Sequence, residues 1–148
     1  SESATPANQS SANVLQIIRL LVSDLGFHPS QIYIDIPDTI QVTTDIDAIG
    51  ILIKNLLENA FKYSQSDEAI HVIWEGGTLI VQNRTRTITD SDKAMILKRG
   101  VKLESRGHGL GLSIAETIAT RLGLQFHIEI ETINDASSLF KASLRLNS

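Results

Sequence analysis

Asn55-Leu56-Leu57-Glu58-Asn59-Ala60-Phe61-Lys62-Tyr63-Ser64 is the stretch that decides how this chain is read. It reads as a helix. Ile49, Leu52, Ile53, Leu56, Leu57 and Ala60 recur at three- and four-residue spacing and build one apolar face. At roughly 100° per residue, Asn55, Glu58, Asn59 and Lys62 gather on the other side. A single polar stripe is usually a solvated face. Two asparagines one turn apart are a poor choice for such a face, because Asn is a weak helix former. A carboxamide oxygen can ligate a hard cation, and an ammonium can hold phosphate. Solvated surface and ligand-facing stripe both fit this helix taken alone.

A second stretch weighs between them. Gly107-His108-Gly109-Leu110-Gly111-Leu112-Ser113 runs into a helix whose apolar residues are Leu112, Ile114, Ala115, Ile118, Ala119 and Leu122. Glycines leading into a helix N-terminus offer free backbone N–H groups and the positive end of the helix dipole, which suits phosphate. A lone glycine-rich turn is weak evidence. The pair, N-L-L-E-N-A-x-K-Y followed by G-H-G-L-G-L-S, closely resembles the catalytic and ATP-binding domain of sensor histidine kinases, within the GHKL ATPase/kinase superfamily. The resemblance covers roughly residues 10 to 146. It implies a two-layer α/β (α+β) sandwich, with a mixed sheet of about five strands covered on one face by three helices and the nucleotide held between helices and a flexible lid.

Composition is compatible with this. The chain has 148 residues, the size of one ordinary domain, with 42% apolar and 20% charged residues, so a packed core is expected. There is no cysteine, which removes disulfides, thiolate metal sites and thiol nucleophiles. The apolar runs are too short to span a bilayer, and no signal peptide is visible; a fragment excised from a membrane receptor would look the same. The net charge of −4 argues against nucleic acid as the main partner. Residues 84–106 nevertheless hold seven basic against three acidic side chains, a surplus of four that leaves the rest of the chain at −8. Such a segment is a solvated loop or an attractor for a polyanion, and the glycine-rich stretch at its end favours the second.

In chain order, residues 1–10 read as a disordered lead-in, and 11–147 as one domain. Ser11 to Leu25 is an amphipathic helix stopped by Gly26. Ile32–Ile36 and Ile40–Val42 read as short strands, and Thr44 with Asp47 resembles a capping box opening the central helix. Ile70–Glu75 and Thr78–Gln82 form a hairpin across Gly76-Gly77, with Trp74 as strand packing. Residues 84–106 show no clean period, apart from a short helix within Asp92–Lys98, and are expected to be the lid. Gly111–Leu122 is the second signature helix, and two strands follow, the first alternating from Leu124 to Glu131 and the last carrying Phe140, Ala142, Leu144 and Leu146.

By resemblance, Asn59 sits where the family holds Mg²⁺, Asn55 faces the same site, and Lys62 sits where the phosphates are contacted. Tyr63 flanks the nucleotide or simply packs under the lid. Gly107, His108, Gly109, Leu110, Gly111 and Leu112 border the triphosphate, Ser113 is a cap or a phosphate contact, and Arg99 and Arg106 are further phosphate contacts. The family's hydrolysing branches carry a Glu one turn before the Mg²⁺-binding Asn, as a base for water. That position is Asn55 here, and an amide cannot take a proton. The implied chemistry is phosphoryl transfer to a His on a separate helical domain, resting on positioning and charge neutralisation. None of His28, His71, His108 and His127 lies in a phosphoacceptor pattern, so the chain is the catalytic half only. The implied setting is the cytoplasmic side of a bacterial inner-membrane sensor, homodimeric at full length and monomeric as an isolated domain, relaying to a response regulator.

One motif departs from the family. The Asp-x-Gly-x-Gly-Ile segment, whose Asp accepts from the adenine amino group, is here Asn83-Arg84-Thr85-Arg86-Thr87-Ile88. Asn still accepts a hydrogen bond but loses charge assistance, about 1 kcal/mol. Thr at a position that needs positive φ would be strained, so the loop is expected to follow another path. Besides the working kinase domain, two alternatives remain: a pseudokinase-like module acting by docking, and a stand-alone GHKL-type protein-serine kinase of the anti-sigma kind.

Overall fold

Asp45 opens the helix around which the rest of the chain packs. Its carboxylate oxygen accepts the Ala48 N–H at 3.1 Å, and the helix runs from Ile46 to Tyr63. The computed structural model describes residues 9–65, 67–99 and 112–147, and all of their side chains except those of residues 95–99. Its elements are β1 (Gln9–Asn13), α1 (Val14–Leu25), β2 (Ile32–Asp35), β3 (Gln41–Asp45), α2 (Ile46–Tyr63), β4 (Ile70–Glu75), β5 (Thr78–Arg86), α3 (Asp90–Arg99), α4 (Leu112–Leu122), β6 (Gln125–Asn134) and β7 (Ser137–Arg145). A 3₁₀ turn spans Pro29–Gln31.

The apolar face expected of α2 is buried: Ile49, Leu52, Ile53 and Leu57 are fully enclosed, with Leu56 and Ala60 nearly so. This face meets β5, α4 and α1. The cap, however, is Asp45 rather than Thr44. Thr44 belongs to β3, pairs with Ser10 and is buried there, so its hydroxyl is not at the helix end.

The five-stranded sheet has the order β2-β4-β5-β7-β6, with β2 and β4 parallel and the other neighbours antiparallel. It is the mixed sheet that the resemblance implies. Val72, Val81, Phe140 and Leu144 point into the core. Register sets Tyr33, His71, Gln82, Lys141 and Glu129 side by side in one row on the opposite face, and none of them is buried. The β4–β5 hairpin turns on Gly76 (φ 53°) and Gly77 (φ 90°), the paired positive φ angles that a tight hairpin needs. A Cβ on Gly77 would also strike the Asn147 carbonyl.

Three elements depart from the sequence reading. β1 takes Gln9 and Ser10, read as lead-in, together with Ser11, Ala12 and Asn13, which had been given to the first helix; it pairs with β3 in a separate two-stranded sheet. Asn13 then caps α1, its Oδ1 accepting the Gln16 N–H at 3.0 Å. The short helix read within Asp92–Lys98 is present but longer, as α3 from Asp90 to Arg99; Thr89 caps it by accepting the Asp92 N–H at 3.1 Å. Finally, β5 does not end at Gln82. It stays paired with β7 through Asn83↔Phe140, Thr85↔Ser138 and Arg86↔Ser137. No non-glycine residue among those described has positive φ, so Thr85 escapes strain within the extended strand, and Thr87, just past its end at Arg86, is likewise unstrained.

The burial pattern gives a direct test. Leu57→Ala should cost about 2–5 kcal/mol by chemical denaturation, whereas Ile51→Ala, at a position 56% exposed on the same helix, should stay within about 1 kcal/mol.

Candidate functional site

The polar stripe of α2 does not lie in one environment. Glu58 and Lys62 are exposed, Asn55 is half-buried, and Asn59 is buried at 7% exposure. The sequence carried a signal for this. Asn59 follows Leu52 by seven residues, roughly two helical turns, so it shares the azimuth of a core leucine. Its Oδ1 is enclosed and has no hydrogen-bond partner among the described residues. An orphaned buried acceptor costs about 1–3 kcal/mol. Such an oxygen is a hard neutral donor, which fits a Mg²⁺ ion that keeps most of its waters and phosphate ligands.

Asn55 is used differently. Its Oδ1 accepts the Ala115 N–H at 3.1 Å. That N–H belongs to the first turn of α4, where backbone donors lack partners within the helix. Asn55 therefore ties α2 to the start of α4. With its oxygen committed to this bond, Asn55, read from the sequence as a catalytic residue facing the cation site, also positions the helix. Leu112, the first residue of α4, is almost fully buried, so its side chain belongs to the core. Lys62 Nζ lies 5.4 Å from the centre of the Tyr63 ring, and Tyr63 is half-buried at the end of α2.

Asn83 lies on the inner face of β5, in register with Phe140, and is 3% exposed. Thr85 shares that face, opposite the fully buried Ser138. The strand end is clasped. Ile88 N–H donates to Ser138 Oγ at 3.2 Å, and Thr87 Oγ1 donates to the Asp135 carbonyl at 2.8 Å. Sequence reading missed Thr85, Ser137, Ser138 and Asp92 as buried polar groups. For Thr85 the signal was available, since Leu79, Val81, Asn83 and Thr85 alternate in step.

Arg106, Gly107, His108, Gly109, Leu110 and Gly111 lie outside the described residues, as does the side chain of Arg99. Among the described histidines none is on an α-helix. His28 caps the 3₁₀ turn through Nδ1, His71 is on the outer sheet face beside Tyr33, and His127 is exposed on β6. A cleft of ≈ 660 Å³ lies elsewhere, beside the sheet edge. It is lined by Glu116, Glu129 and Glu131 against Lys93 and Lys141, and shares no residue with the Asn59–Asn83 region. Its carboxylates make it a poor host for a triphosphate.

The family described as histidine kinase-, DNA gyrase B- and HSP90-like ATPase matches residues 44–148. The sensor protein kinase GraS of Staphylococcus aureus is 30% identical over 95 residues, which covers 59% of this chain and 28% of that protein. The sensor protein VanS of Enterococcus faecium is 28% identical over 129 residues, 81% of this chain and 33% of that protein. The chain thus spans about a third or less of the length of these relatives. Among solved structures, the catalytic domain of the histidine kinase ThkA superposes with a TM-score of 0.66 at 18% identity, covering 93% of this chain and 95% of that one. The cytoplasmic segment of the histidine kinase QseC gives 0.63 at 19% identity, covering 99% and 82%. These two likenesses speak for the fold. With the family match over most of its length, the chain belongs to the histidine kinase-, DNA gyrase B- and HSP90-like ATPase family, as an ATP-binding domain of the sensor histidine kinase kind.

Proposed function

We propose that this domain binds Mg²⁺–ATP and transfers the γ-phosphate to a histidine on a separate helical dimerisation domain of the same protein, for relay to a response regulator. The observation that carries the reading is the enclosed Oδ1 of Asn59, unpartnered among the described residues, at the position where the resemblance implies a metal-holding amide. In this reading Asn59 would hold Mg²⁺, which would supply neutralisation of the phosphate charge. Lys62 reaches the phosphates from the exposed end of α2, and Tyr63 flanks the nucleotide. Asn83 meets the base. Arg99, Arg106 and the Gly107–Leu112 segment complete the phosphate side. Asn55 is no general base, because an amide cannot take a proton, and its oxygen already accepts from Ala115 N–H; water is left unactivated and the acceptor comes from another domain. The parent protein would be a homodimeric sensor in a bacterial inner membrane with this domain in the cytoplasm. No described helix is itself long and apolar enough to cross a membrane.

One observation favours a second reading. β5 remains a paired strand through Arg86, where the resemblance implies a glycine-containing loop at the base pocket. A domain with that pocket closed would act by docking alone.

Calorimetric titration with a non-hydrolysable ATP analogue separates the two. The kinase reading expects Mg²⁺-dependent, micromolar-class binding of about −7 to −8 kcal/mol, weakened at least tenfold in Asn59→Ala. No binding at millimolar nucleotide would hand the domain to the docking reading. Asn55→Ala should lower unfolding stability by about 0.5–2 kcal/mol, the usual loss on removing a helix cap. It should also weaken nucleotide binding, whereas Lys62→Ala should weaken binding with no change in the melting temperature.

A further inference from the structure

In the nucleotide-binding reading, on which this inference rests, the base end of the site falls to the inner face of β5 beside β7. The buried polar side chains of those two strands, among the described residues, are Asn83, Thr85, Ser137 and Ser138. Every one is neutral, and every one can both donate and accept. Ser138 Oγ already accepts from Ile88 N–H, which leaves its own proton to donate. Asn83 is 3% exposed and sits within the continuous β5–β7 ladder, so its place is set by strand pairing. What is not set is its polarity. Turning the carboxamide by 180° exchanges an oxygen acceptor for an NH₂ donor in the same space.

A 6-amino purine presents a donor at that edge, and a 6-oxo purine presents an acceptor. A carboxylate at position 83 would accept only, and would leave a 6-oxo purine facing a buried, unpaired acceptor, an arrangement that rejects ligands strongly. A carboxamide meets either edge. We propose that Asn83 removes discrimination at the purine 6-position, so that this domain takes GTP as well as ATP as its nucleoside triphosphate.

The test is calorimetric titration of the 148-residue chain, in Mg²⁺, with the imido analogues of ATP and GTP, repeated with Asn83→Asp. The expected result is affinities within about fivefold of each other for the unaltered chain, and at least a tenfold preference for the adenine analogue in Asn83→Asp. A tenfold or greater adenine preference in the unaltered chain overturns the proposal while leaving nucleotide binding intact. An affinity ratio that does not move in a folded Asn83→Asp variant overturns the role of Asn83. Failure to bind either analogue overturns the nucleotide-binding reading itself, and this proposal with it.

Discussion

The hydrogen bond from Ala115 N–H to Asn55 Oδ1 is a small interaction on which the arrangement of the site depends. The apolar face of α2 would pack against α4 in several sliding registers, because leucine and isoleucine contacts are not directional. One directional bond, from a helix terminus that needs an acceptor to a side chain on the neighbouring helix, selects among them. It holds the start of α4 beside the middle of α2, one turn from Asn59. The choice of residue matters. A carboxylate would cap a helix N-terminus at least as well, through the helix dipole. It would also place a negative charge where the proposed reading brings a triphosphate. A neutral carboxamide satisfies the backbone and leaves the field of the helix end available.

Asn59 is the complementary case. Burying a polar oxygen without a partner works against folding, and the rest of α2 shows that the chain can fill its core with leucine and isoleucine when nothing else is required. A polar group kept at such a cost is best explained by a ligand that completes it. The helix can carry this because its remaining inward positions are well packed, so the local deficit is spread over a large buried surface.

Where period and chemistry agreed, the sequence was enough. α2, α1, α4, the glycine-turned hairpin and the β6–β7 pair each have an apolar repeat matched to their element, and α1 and α4 end at Gly26 and Gly123 with φ 75° and 71°. β1 was not legible because Gln9, Ser10, Ser11 and Asn13 carry no hydrophobic alternation; that strand exists through its backbone ladder to β3. The end of β5 was obscured for a different reason. The likeness to a glycine-containing motif suggested a loop, whereas the local sequence, threonine between arginines, has strand propensity. The residues decided the path and the resemblance did not. The buried position of Asn59 lay between these cases. It could be counted from Leu52, but its significance depended on knowing that no described group satisfies it.

Asparagine recurs at three points of the proposed site: Asn55 against the start of α4, Asn59 at the proposed cation position and Asn83 at the proposed base edge. At Asn55 and Asn83, where related domains can carry a carboxylate, it keeps an oxygen to accept with while leaving out a negative charge. Charge of the helpful sign is supplied by the basic segment 84–106, in a chain that is otherwise acidic. The electrostatic logic of the proposed site is therefore division of labour: cationic side chains supply long-range attraction, and neutral amides supply geometry. Hydrolysis needs a buried anionic base near the γ-phosphate, which this arrangement excludes at Asn55. In the proposed reading, transfer to an acceptor brought by another domain needs only the geometry and the attraction, which the buried amides and the basic segment would supply.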